Sequence, residues 1–398
     1  MKTEWMQWPE STALAGVFKK DELRFVGGCV RNALLDIPVT DVDAATPLLP
    51  DKVMQLLQAA GIKAVPTGIE HGTVTAVIGK KHFEITTLRK DTSCDGRHAV
   101  VEFTRDWKED ASRRDFTMNA IYLSPEGEMF DYFGGEADAK AGRVKFIGKP
   151  EDRIKEDYLR ILRFFRFYAW YGKGEPDFNA LSACVASAEG LKSLSGERIA
   201  QEMFKLLSAP APYETLGLMR GHEILSRLLG GAVNSLEPIA RLQRVETMMG
   251  RQADVHVRLA LLVPGQKMLE HVISAWKLSN ESKDHLHMLL VLSGRLHIGA
   301  SVSEQKKLLR HLRAPRFKEL AVLHWALDGD VDASRKQFEA MLKLADTWVI
   351  PEFPVTGKDL QAQGMAEGKA LGDCLQSLEV TWEESDYRLT KKELLAKK

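Results

Sequence analysis

The chain has 398 residues, 55 Lys plus Arg against 55 Asp plus Glu, 44% hydrophobic residues and four cysteines. That length exceeds a single compact core and predicts two or more domains. The balance excludes a mainly disordered chain and a uniformly basic nucleic-acid coat, and no run of about 18 apolar residues offers a membrane span.

The opening MKTEWMQWPEST has no basic region followed by an apolar one, so neither a secretory signal nor an Arg-rich transit peptide is predicted. Cys29, Cys94, Cys184 and Cys374 are scattered and form no CxxC pair. Reduced thiols in the cytoplasm are the simplest reading, with no structural zinc.

Up to about residue 150, short β-type runs alternate with Gly, Pro and Asp: LRFVGG, TVTAVIG, HFEITTL, VVEF, NAIYLS and RVKFIG. DKVMQLLQAAG between them has helical spacing and a closing Gly61. From Glu151 onward the strand signals vanish. EDYLRILRFFRFYAWYG, GERIAQEMFKLLSA, VRLALLVPG and SEQKKLLRHLRAPRFKELAVLHWALD read as helices, with N-terminal caps predicted at Ser195 and, as a capping box, at Ser301. Gly357, Gly364, Gly368 and Gly372 predict short helices and tight turns in the tail. The fold class is α+β, a small head followed by an all-helical remainder.

Several segments of this framework carry chemistry. A strand ends at Gly27-Gly28 and a helix begins near Cys29, so the backbone can approach a phosphate and Arg31 lies in the first turn to hold it. Asp41 and Asp43 follow at i and i+2, the spacing that puts both carboxylates on one face of a strand. A lone DxD is as a rule a turn or a solvated strand edge. Behind a GG-x-x-R it suits Mg²⁺, which takes oxygen ligands and bridges to substrate phosphates. Glu84, between Phe83 and Ile85, offers a third carboxylate. The polar stretch Arg89–His98, with Asp91, Asp95 and Arg97, reads equally as a gate or a plain hairpin.

In ASRRDFTMNA, Arg113, Arg114, Asp115 and Asn119 combine guanidiniums for phosphate with groups that read sugar hydroxyls, though a surface ion-pair cluster fits the same segment. In EDRIKEDYLRILRFFRF, Asp157, Arg160 and Arg163 fall at i, i+3 and i+6 of one predicted helix. Asp157–Arg160 alone would be a surface ion pair, but Phe164, Phe165 and Phe167 make the helix apolar. Arg160, Arg163 and Arg166 on such an element need anionic partners, which a nucleoside triphosphate supplies.

Taken in order, GGCVRNALL…TDVD, RRDFTMNA, DYFGG, EDYLRILRFFRF and ERIAQE resemble the motif series of the bacterial-type (class II) tRNA nucleotidyltransferase and poly(A) polymerase family. The resemblance covers residues 20–210. It implies a nucleotidyltransferase head of the DNA polymerase β-like type with a small mixed sheet over 1–148, a helical neck with a base-selecting helix over 149–210, a helical body over 211–350 and a tRNA-binding helical tail over 351–398. It further implies template-independent extension of the tRNA 3′ end with CTP and ATP, and no protein partner.

Under the resemblance, Asp41 and Asp43 bind two Mg²⁺ ions, with Glu84 beside them. Gly27, Gly28 and Arg31 hold the triphosphate, Arg114 contacts the nucleotide, Asp115 and Asn119 lie near its ribose, and Arg163 and Arg166 face it. Asp157 and Arg160 match the protein template for base choice. Cytosine and adenine pair an exocyclic amine with an unprotonated ring nitrogen, which a carboxylate and a guanidinium read, whereas uracil and guanine leave both contacts unpaired. Arg198 and Glu202 are expected to brace that helix. The Arg89–His98 stretch resembles the loop of enzymes that complete the whole CCA. Asn32 departs from the usual Asp of the motif.

Beyond the motifs, Lys306, Lys307, Arg310 and Arg313 form a basic stretch, either a solvated helical face or a contact for tRNA phosphates. No HD-type metal motif is expected, because His256 and the other histidines lack acidic neighbours at its spacing. Alternatives within the family are an A-adding or poly(A) enzyme. Outside it, a catalytically inactive RNA-binding protein conflicts with intact Asp41 and Asp43, and a DxD glycosyltransferase leaves RRDFTMNA and EDYLR unexplained.

Overall fold

In the computed structural model, residues 2–95, 98–292 and 294–397 are described, with backbone only for 91–95 and 98–101. The head is organised by strands whose apolar residues alternate. Strand β1 is Arg24–Val26, β2 is Val42–Thr46, β3 is Lys63–Gly68, β4 is Thr73–Ile78 and β5 is Lys81–Thr87. With β8 (Ile121–Leu123) and β9 (Met129–Asp131) they form a seven-stranded mixed sheet in the order β3-β4-β5-β2-β1-β8-β9. Only β2 and β5 run parallel in it, and this pairing sets Asp43 opposite Glu84.

In β2 and β5, Val42, Ala44, Phe83 and Ile85 point into the core, so Asp43 and Glu84 are exposed by the same alternation. Strands β6 (Arg89–Asp95) and β7 (His98–Phe103) make a separate two-stranded ladder. The segment weighed as a gate or a hairpin therefore contains the whole of β6 and the first residue of β7; the Asp91, Asp95 and Arg97 side chains lie outside the described residues.

Two predicted elements of the first 171 residues differ. RVKFIG forms no strand: Phe146 makes one isolated bridge to Phe116, and its ring packs 4.8 Å from that of Phe116. Its apolar residues serve a buried aromatic cluster, not a ladder. The helix expected across EDRIKEDYLRILRFFRF is interrupted. It divides into Pro150–Glu156 and Leu159–Tyr171, with Asp157 extended at φ −157° and its carboxylate accepting from the Leu159 N–H at 3.1 Å. An Asp whose carboxylate takes the N–H two residues on competes with continuation of the preceding helix.

Contacts divide the chain into two units, Met1–Leu228 with Ala275–Lys277, and Leu229–Ser274 with Leu278–Lys398. Among the described residues the second has helices and no strand. Its longest helix, Val302–Leu327, carries the expected Ser301 capping box but breaks at Arg313 (φ 62°), two residues before Pro315. Proline removes a backbone donor and restricts the residue before it, so an unbroken helix was not available there. The tail helix Lys369–Glu384 runs through Gly372, longer than the glycine spacing predicted.

Candidate active site

The site begins at the turn after β1. Gly27 has φ +78°, which strains any side chain, and it caps the helix Gly28–Leu34 that carries Arg31. Arg31 is buried and its acceptors are neutral: Asn119 Oδ1, Asn32 Oδ1 at 3.0 Å and Tyr171 Oη at 2.7 Å. Its Nε has no partner. Burial lowers its pKa. A guanidinium held this way is prepared for an anion that the protein itself does not supply.

Arg31 and its neighbours line a cleft of about 560 Å³. The lining contains seven arginines (Arg31, Arg113, Arg114, Arg160, Arg163, Arg166 and Arg198) against Asp43, Asp115 and Asp157, with Gly27, Gly28 and Asn119. The residues predicted for nucleotide and metal thus converge, with two exceptions. Asp41 opens into a different cavity, and Glu84 lines neither.

The arginines are ordered by carboxylates behind them. Asp115 accepts from Arg163 Nε at 2.8 Å and Asn119 Nδ2 at 3.0 Å. Burial would raise its carboxyl, but Arg163, Asn119 and the Phe116 amide hold it at about 2. Glu202, also buried, lies 2.8 Å from Arg166 and 3.9 Å from Arg163, and Arg198 donates to Asp157 at 2.6 Å. The bracing role expected of Arg198 and Glu202 matches these contacts. Arg160 does not pair with Asp157; its Nη1 donates to Glu156 and to the Arg153 carbonyl at 2.8 Å.

Two groups escaped the sequence reading. Asp110 is completely buried, accepting from Arg113 Nε at 2.8 Å, Arg114 Nη2 at 3.2 Å and Tyr122 Oη at 2.6 Å. Burial opposes its charge, but Arg114 and Arg113 hold it at about 2. The signal was present: Asp110 precedes Arg113 and Arg114 by three and four residues, one helical turn. Phe167 is the other. The Arg31, Arg163 and Arg166 guanidiniums all lie within 5.5 Å of its ring centroid.

Asp43 and Glu84 pair across β2 and β5, and Asp41 lies two residues before Asp43. Although solvent reaches Asp43, burial pushes its carboxyl up to about 6, with Glu84 and Asp41 adding to the rise and Arg114 opposing it. Glu84 and Asp41 lie near enough to raise Asp43, and all three are hard oxygen donors of the kind a divalent cation takes, though their oxygens do not gather as closely as the ligand atoms of Asp254, His256 and His285. In the other unit, Asp254, His256 and His285 bring ligand atoms within 4.8 Å of one another. His256 therefore does have an acidic neighbour, Asp254, at 2.7 Å, while His285 bonds Glu319 at 2.7 Å. The sequence reading missed it because the Asp lies at i−2, outside the motif's spacing.

The mixed sheet, the glycine turn, the strand carboxylates and the arginine cleft together define a nucleotidyltransferase. Residues 23–145 match the family described as the poly A polymerase head domain, and residues 175–233 that of a probable RNA and SrmB-binding site of polymerase A. The mitochondrial CCA tRNA nucleotidyltransferase 1 of Mus musculus is 35% identical over 96% of this chain and 88% of its own length. The CCA-adding enzyme of Geobacillus thermodenitrificans is 32% identical over 80% and 79%. The crystal structure of the Bacillus stearothermophilus CCA-adding enzyme in complex with CTP superposes with a TM-score of 0.76 at 26% identity, covering 100% of this chain and 97% of that one. The chain belongs to the family of CCA-adding tRNA nucleotidyltransferases and poly(A) polymerases. Nucleotidyltransferases of this family use divalent metal ions. Among the described residues no helix is long and apolar enough to cross a membrane.

Proposed function

We propose that the chain builds and repairs the 3′-terminal CCA of tRNA from CTP and ATP, without a nucleic-acid template. The observation that carries this reading is the single cleft that gathers Gly27, Gly28, Arg31, Asp43, Asp157 and Arg160, in a chain similar over nearly its whole length to CCA-adding enzymes. In the reaction the RNA 3′-oxygen bonds to the α-phosphorus, the bond to the bridging oxygen breaks, the hydroxyl proton passes to solvent, and pyrophosphate leaves.

Arg31, Arg114, Arg163 and Arg166 hold and neutralise the triphosphate, and Asp115 and Asn119 lie beside the ribose. Asp157 and Arg160 choose the base. Asp157 is fixed by Arg198 and the Leu159 amide yet keeps lone pairs for an exocyclic amine, and Arg160 keeps Nη2 and Nε for a ring nitrogen or carbonyl. Asp41 and Asp43 are the ligands for two Mg²⁺ ions, with Glu84 supporting them. Bound there, the ions supply an activated hydroxyl and charge relief on the leaving group. The head spans 1–148, the neck 149–210, the body 211–350 and the tail 351–398. In the basic stretch Lys307 and Arg313 are left for tRNA phosphates. Unpaired Cys29, Cys184 and Cys374 fit a reducing compartment, the cytoplasm.

The test is incorporation into a tRNA transcript ending at the discriminator base, with Mg²⁺ and CTP alone, ATP alone, both, then UTP or GTP. Two residues added with CTP and a third with ATP is the expected result. Addition of A only to transcripts already ending in CC makes it an A-adding enzyme, and no extension at all sinks the catalytic reading. Asp157→Ala is expected to admit UTP at a rate raised about tenfold or more relative to CTP, since leaving one buried polar group unpaired costs about 1–3 kcal/mol.

A further inference from the structure

Asp41 and Asp43 face different spaces. Asp43 lines the arginine cleft, while Asp41 lines a separate cavity of about 250 Å³ with Trp8, Thr40, Lys80, Lys81 and His82. Lys80 sits in the tight turn joining β4 to β5, beside Gly79 at φ +60°. Lys81 Nζ lies 3.3 Å from the centroid of the Trp8 ring, which orients the ammonium without neutralising it. Among the described residues neither lysine makes an ion pair. Two ammoniums and an imidazole thus gather at Asp41, in a cavity that shares no lining residue with the arginine cleft and whose one carboxylate is Asp41.

Phosphoryl transfer runs in line, so the attacking hydroxyl approaches the phosphorus opposite the departing pyrophosphate. With the triphosphate among the arginines, the RNA end must come from outside that cleft, and the cationic cavity at Asp41 begins two residues from Asp43. What arrives there is a polyanion, and its last internucleotide phosphates lie within a few ångströms of the hydroxyl. We propose that this second cavity receives the sugar-phosphate backbone of the RNA acceptor strand just 5′ of its 3′-terminal hydroxyl, with Lys80 and Lys81 holding phosphodiesters and Trp8 positioning Lys81. The inference rests on the proposed transfer to an RNA 3′ end. It adds a primer site on the head, built from residues outside the nucleotide-binding motifs.

The test is steady-state kinetics of the full chain carrying Lys80→Gln and Lys81→Gln, with CCA-less tRNA, CTP and ATP. The expected result is a rise of about tenfold in KM for RNA, with kcat and the KM values for CTP and ATP within about twofold of the parent. Removing two single-strand phosphate contacts also lowers the slope of log KM against log salt by about 1.4. Lys80→Arg with Lys81→Arg restores both. If the glutamine pair disturbs folding, unaltered protein is assayed with an RNA whose last internucleotide linkage is a neutral methylphosphonate; the same rise is expected. An unchanged KM for RNA overturns the proposal. So does a changed KM for nucleotide or changed inhibition by pyrophosphate at constant KM for RNA, which assigns the cavity to the triphosphate or its leaving group. A parent protein that extends no RNA defeats the transferase reading itself, whereas an active parent with unaffected variants defeats this inference alone.

Discussion

The arginine cleft and the basic stretch of the Val302–Leu327 helix are both rich in cations, yet only the first gathers them around one space. In the cleft, seven arginines face three aspartates, and Asp110 and Glu202 stand behind the arginines as supports. In the helix, Lys306 donates to Asp386 at 2.8 Å and Arg310 pairs with Glu383 at 2.7 Å and with Glu379. Lys318 pairs with Asp346, and Arg316 lies 3.1 Å from Glu319. In the first region all seven arginines are oriented onto one cavity, and among the described residues Arg31 alone lacks a carboxylate partner; in the second, most cations are cancelled by carboxylates. Counting basic residues along a sequence does not separate the two, because the cancelling carboxylates lie far away in the chain.

The sharpest break of this contrast is at the carboxylates the cleft does not neutralise. Asp43→Asn is expected to lower the incorporation rate roughly 10³-fold, since metal-assisted charge stabilisation is worth several kcal/mol. A readout independent of activity accompanies it: Mg²⁺ should raise the Tm of the parent protein and leave that of Asp43→Asn unchanged. A Tm response of equal size in both would remove Asp43 from the metal site.

Next in size is the support behind the arginines. Asp110→Asn leaves Arg113 and Arg114 facing a neutral amide in a buried site, and is expected to cost about 3 kcal/mol in urea unfolding. The pH dependence has a definite sign. Asp110 and Asp115 are both held at about 2 in the fold, below the ordinary carboxyl value of 3.8. Their stabilisation is complete above that ordinary value and is lost as pH falls from about 4 toward 2. The Asp110→Asn protein should lose less stability than its parent across that window. Parallel curves would show that the Arg113 and Arg114 contacts are too weak to hold the carboxyl down.

Local signals made much of this legible. Gly27-Gly28, Asp41-x-Asp43 and Arg113-Arg114-Asp115 are chemistry written within a few residues, and the strand alternation that exposes Asp43 and Glu84 is equally local. What escaped is relational. Asp157 reads as a helix surface residue until Arg198, distant in sequence, is seen to hold it. RVKFIG reads as a strand because Phe146 has strand propensity, whereas its neighbours in space are Phe116 and Phe164. That Asp41 and Asp43 open into separate cavities depends on Lys80, Lys81 and Trp8, which no motif spacing ties to them.

The smallest effect is the one that tests the contrast most directly. Lys306→Gln with Arg310→Gln removes two cations, so a reading by charge count predicts weaker RNA binding. The ion pairs predict otherwise: the substitutions free Asp386, Glu379 and Glu383, and the expected change is a stability loss of about 1 kcal/mol, typical of partly exposed pairs, with the KM for tRNA within about twofold. Lys307→Gln with Arg313→Gln touches no ion pair among the described residues. It should leave stability nearly unchanged while lowering the salt slope of tRNA binding by about one to two, one increment for each phosphate no longer neutralised. If instead Lys306 and Arg310 carry the larger salt-dependent loss, the carboxylates that hold them release them when RNA binds. The cancelled region would then belong with the cleft as a second anion-binding surface.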